Sequence, residues 1–136
     1  MKQCNETITV MNRRYDTETG RDVWTPTVIQ GVSWHSEIKA AVTQNGLKDA
    51  KTATVRVPVT ADTSGRVYLT PAAYKAAEDT SGAYTFARGD ILVRGEVTAS
   101  LTPAEAQAAF EDCVTIIGVT DNTRRPHGPH RKVVGA

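Results

Sequence analysis

The densest charged chemistry in the chain lies near its C-terminus, where Thr123 to Lys132 reads TRRPHGPHRK. Arg124, Arg125, His127, His130, Arg131 and Lys132 are the candidate contact residues of this stretch. The two histidines are spaced H-x-x-H, which on a helix would point two imidazoles at one metal ion. Gly128-Pro129 stands between them and prevents a regular helix. The two cysteines, Cys4 and Cys113, have no CxxC partner, so the spacing rules for zinc are not met. His35 is the remaining histidine and sits in VSWHS, where neighbouring side chains alternate faces, so it reads as structural or exposed. There is no GxSxG for a nucleophile, and neither GxxxxGK[ST] nor GxGxxG for a phosphate. Asp90 and Glu96 flank a strand at even spacing, which predicts a solvated edge and no acid/base dyad. Arg88-Gly89-Asp90 reads as a hairpin turn. The expectation is a protein without catalytic residues, metal or cofactor, and not an enzyme.

Composition sets the frame for that expectation. A chain of 136 residues is the size of one domain and can bury a core without disulfides. Sixteen basic residues oppose 15 acidic ones, so the global field gives no case for nucleic-acid binding. The basic cluster at 123–132 is therefore a local feature. With prolines to stiffen it, it predicts an extended arm that meets a neighbouring subunit, an acidic surface or DNA phosphates. Val133-Val134 would anchor that arm as an added strand on another sheet. The N-terminus lacks the apolar stretch of a signal peptide, and no run approaches the roughly 18 apolar residues of a membrane helix. Both thiols are expected free, in a reducing cytoplasm or an assembly made there.

The elements that would carry these residues are mostly strands. Thr7 to Met11 alternates polar and apolar, as does Thr54 to Val59, which puts Val55, Val57 and Val59 on one face. YDTETGRD at 15–22 is hairpin-loop chemistry. Pro26 predicts that the next strand starts after it or lies at an edge. Residues 36–52 read as an extended stretch or ragged hairpin followed by a mobile loop. Tyr84-Thr85-Phe86 and Ile91 to Val97 suit a hairpin through Ala87-Arg88-Gly89-Asp90. Val114 to Val119 is the most apolar strand and is expected to be central. Leu69-Thr70-Pro71 and Leu101-Thr102-Pro103 are helix starts with Thr at the N-cap and Pro at the first helical position. Glu105 completes a capping box behind Thr102. Cys113 reads as a small core residue. The fold class expected is mainly β, an antiparallel sheet or small open β-barrel with two short helices. One β-rich domain over 1–122, with helices near 70–79 and 102–112, would be followed by the basic arm at 123–136.

Three long segments carry a resemblance: ITVMNRRYDTETGRDVWTPTVIQGVSW, YLTPAAYKAAEDTSGAYTFARGDILVRGEV and VTIIGVTDNTRRPHGPHRKVVGA. Together they resemble small phage and prophage proteins of Gram-positive hosts, similar in size and layout to neck or head-completion proteins, some labelled minor capsid proteins. The resemblance implies a barrel-like virion protein of the head–tail connector, assembled in the host cytoplasm. It implies a homo-oligomeric ring between portal or adaptor and tail, with non-specific contact to packaged DNA and no membrane. Residues 36–52 would be a loop that plugs the DNA channel. A tail terminator or minor capsid protein, a host-factor inhibitor and a small DNA-binding protein are the alternatives.

Overall fold

The computed structural model describes residues 5–136 apart from 17, 19, 44–45, 78–81, 99–101, 111, 125 and 127–128, and gives backbone alone at 16, 37–43, 46–51 and 103. Alternation gives β1 (Glu6–Asp16), β2 (Arg21–Thr43) and β3 (Gly46–Pro58). An excursion follows, made of β4 (Val67–Tyr68), α1 (Pro71–Ala76) and β5 (Ala83–Tyr84). Then come β6 (Ile91–Arg94), α2 (Pro103–Ala109), β7 (Cys113–Asn122) and β8 (His130–Gly135). Six strands close a barrel in the order β1-β2-β3-β8-β7-β6, and every pairing in it is antiparallel. The mainly β expectation holds, and the barrel is closed.

Two strands turn its corners. β2 pairs with β1 from Arg21 to Val32 and with β3 from Ser33 to Thr43. Gly31 has no partner in that register and sits at φ +85°. An extra residue in one strand bends it, and the left-handed backbone there favours glycine. β7 pairs with β6 through Cys113–Thr115 and with β8 from Ile116, and Ile117 is the residue its register skips. Each corner strand thus changes sheets at a bulge, which is how orthogonally packed sheets share strands.

Ile8, Val10, Ile29, Val55, Leu92 and Val133 are among the residues that fill the interior. The β4–α1–β5 excursion adds Tyr84 and Phe86 to that core. α2 lies on the outer face of the β1–β6 side, where Ala106 joins Met11, Trp24, Ile91 and Val93. Its capping box is formed: the Thr102 hydroxyl accepts from Glu105 N, and Glu105 accepts from Thr102 N. Loop 62–66 covers the free edge of the first half of β2. Gln30 and Asp62 exchange both backbone hydrogen bonds, Ser64 Oγ donates to Val28 O, and Arg66 Nη1 donates to Pro26 O. The edge position inferred for Pro26 is the observed one, and a covered edge is protected from pairing with another chain.

Several expectations are corrected. The arm at 123–136 ends in a barrel strand, because β8 inserts between β3 and β7. The backbones of β3 and β7 need a partner on that side, and Val133 supplies a fully buried contact. The domain therefore does not stop at 122. The helices are shorter than 70–79 and 102–112, since Ala77 and Phe110 turn extended and cap them. Tyr84 and Ile91 do not form a hairpin: β5 pairs in parallel with β4, and β6 lies between β1 and β7. Residues 36–43 and 46–52 are paired strand, with no long loop between them. Val59 lies beyond the end of β3 and is exposed, unlike Val55 and Val57.

Candidate functional site

Strand geometry scatters the basic cluster. Successive residues of a strand point to opposite faces. Arg131 is opposite Val57, a core residue, and Lys132 is opposite Arg56. The Arg131 guanidinium lies 3.7 Å from the centre of the Tyr68 ring, a cation–π contact. Tyr68 packs edge-on against Tyr84 with ring centres 5.6 Å apart. Burial raises the hydroxyl pKa of both tyrosines, and the Arg131 charge opposes it. Lys132 and Arg56 share the opposite face, two like charges side by side. His130 is buried, with Nε2 at 3.4 Å from Asn122 Nδ2. Arg124 is exposed at the β7–β8 turn, and Arg125 and His127 lie outside the described residues. The four described candidates, Arg124, His130, Arg131 and Lys132, therefore do not form one patch.

Two other features stand out. The first is a ribbon. From Ser33 onward β2 pairs with β3 alone, and before Ala53 β3 pairs with β2 alone. Seven cross-strand pairs, Glu37↔Thr52 to Thr43↔Gly46, project past the barrel. At strand rise they reach roughly 23 Å.

The second is a cleft of about 660 Å³ between the end of β1, α1 and the turn at 87–90. β1 brings Arg13 and Arg14, α1 brings Tyr74 and Lys75, and the turn brings Arg88 and Asp90. Arg14 Nη2 donates to Ala77 O, which ties the end of α1 to β1. Asp90 is only 3% exposed. Asn12 Nδ2 donates to its Oδ2 at 2.9 Å, and the Arg13 and Ala87 amides donate to the carboxylate at 3.2 and 3.4 Å. Burial raises the Asp90 pKa, and these donors only partly oppose the rise. The solvated edge expected at Asp90 is thus corrected: Asn12 and the folded turn enclose it, and Glu96 alone is exposed. With its oxygens committed to three donors, Asp90 is a structural acceptor and not a free base. Among the described residues no three His, Cys, Asp or Glu side chains gather as metal ligands.

Residues 3–136 match the model of the Family of unknown function (DUF6751). The chain belongs to this family. No curated protein and no solved structure matches it. The DUF6751 match runs through β8, so the last strand lies within the family's unit, as it lies within the barrel.

The cleft went unread in the sequence because its parts are far apart in the chain. The adjacent pair Arg13-Arg14 at the end of an alternating strand was the one local signal.

Proposed function

We propose that this DUF6751 member is a virion structural protein of the phage head–tail connector, a head-closure piece seated between portal and tail and carrying no catalytic activity. The projecting β2–β3 ribbon carries this reading. A two-stranded ribbon is marginally stable alone in water. Open strand edges are templates for pairing with another chain. Such an element on a closed barrel suits a protein that completes itself against neighbours, as copies in a ring do. The ribbon also falls on residues 36–52, the stretch that the resemblance to neck proteins marks as a channel loop. It is a paired ribbon, one that contact with a neighbouring copy would hold in place.

Purified particles test the reading. Mass spectrometry of phage particles encoding this chain should detect it at a ring's copy number, and imaging should place it at the neck. Density at the tail tip or within the capsid shell would assign it a different virion role. Absence from particles, with the chain captured on a host protein, would replace the reading by that of an inhibitor.

A further inference from the structure

Each corner strand of the barrel changes sheets half-way, so each has two half-strand edges outside the ladders. Two of these four edges are closed within the chain. Loop 62–66 covers the first half of β2 through the bonds that Gln30 and Asp62 exchange. At the start of β7, Thr115 and Ala136 exchange both backbone hydrogen bonds at 3.0 Å. The other two edges are open. One is β2 over 37–43, which pairs with β3 alone, and the other is β7 over 118–122, which pairs with β8 alone. Among the described residues no backbone hydrogen bond meets the outer side of either. The β7 edge also bears apolar surface, with Ile117 49% and Val119 37% exposed. Residues 118–122 include neither the lysine nor the proline that blunts many natural edges.

The two open edges are complementary in direction. β2, β3, β8 and β7 lie in that order and every neighbouring pair is antiparallel. Four strands make β2 and β7 run in opposite senses, with their open edges facing opposite ways. Rotation about an axis running along the strands preserves both. It brings the β7 edge of one copy to the β2 edge of the next as an antiparallel pair, the pairing used throughout the barrel. β3 over 46–52 is open too, but it faces the same way as the β7 edge, so a rotated copy cannot join those two. We propose that copies of this chain join head to tail by β-augmentation, residues 118–122 of one pairing along residues 37–43 of the next. The inference rests on the connector reading for taking the closed product to be a ring. Head-to-tail contacts are the kind that close into rings. Main-chain hydrogen bonds supply the affinity of an added strand. The ribbon gains the third strand that a two-stranded ribbon needs for stability.

Sedimentation and amide hydrogen exchange on the full chain test this. Oligomers larger than a dimer should grow with concentration, and amides in both 37–43 and 118–122 should exchange about tenfold more slowly in them. I117K/T120K puts charges at two exposed positions of the β7 edge. Replacing residues 37–52 by Asn-Gly removes the β2 edge. Each variant alone should be monomeric. Mixed, they should form a one-to-one complex, because each keeps the edge that the other lacks. If a variant fails to fold, the exchange pattern of the native chain decides. A monomer at every concentration, a dimer protected on the ribbon alone, or oligomers unchanged by I117K/T120K would each overturn the proposal. Particle composition tests the connector reading separately. Edge-joined oligomers of a chain absent from particles would keep this inference and remove that reading, and monomers of a chain found at the neck would do the reverse.

Discussion

Asp90 shows how much one residue depends on distant ones. Its partner Asn12 is 78 residues away in sequence, and Asn12 also accepts from Thr85 N at 3.1 Å. Flanking a strand, Asp90 looks like a solvent residue; the fold makes it a buried acceptor. Asp90→Ala should therefore cost about 2 kcal/mol at neutral pH, because the Arg13 and Ala87 amides lose their acceptor. Urea denaturation would measure it. The pH dependence has a definite sign. A raised folded pKa means that the native state holds a proton that the unfolded chain has released. Asp90's contribution is then greatest at low pH and declines as pH rises from the ordinary carboxylate value of 3.8 through the raised folded one. The difference in stability between the native protein and Asp90→Ala should shrink along that window. Gly135 is a second such residue. A Cβ there would lie 2.5 Å from Val114 Cγ2 and 3.0 Å from Thr115 O. Gly135→Ala should cost about 1–3 kcal/mol by overpacking, seen as a lowered melting temperature.

Elements were legible where their signals are local. Alternation gave β1 and β3, and Thr102 with Glu105 gave the start of α2. The helix ends were not legible, because Ala77 and Phe110 turn extended to meet the barrel and carry no stop signal of their own. The ribbon was half legible: its extended character showed, its pairing did not. Among the described residues, 37–43 and 46–52 pair only with each other, so the ribbon should contribute little to the barrel. Replacing residues 37–52 by an Asn-Gly turn keeps the Ser36–Ala53 pair and suits a two-residue hairpin. The melting temperature should stay unchanged while incorporation into particles is lost. A large drop in melting temperature would show that the ribbon packs on its own barrel.

At the scale of the whole molecule, β8 is the element whose role changed most. A stretch rich in cations and prolines ahead of two valines looks like a detachable arm. In the barrel it carries Val133 into the core and fills the gap between β3 and β7. Deleting residues 130–136 should therefore unfold the protein, losing the cooperative thermal transition and binding a hydrophobic dye. A removable arm would leave the transition intact. The sequence by itself determined the strand-rich class and the two capped helix starts, since each follows from residues within a few positions of one another. Tertiary structure alone decided the closure of the barrel, the burial of Asp90, the opposite faces of Arg131 and Lys132 and the convergence of Arg13, Lys75 and Arg88. These depend on pairings such as β1 with β6 and β3 with β8. Local propensity carries no record of which distant strand will supply a partner, and it is the partner that sets a residue's face, its neighbours and its access to water.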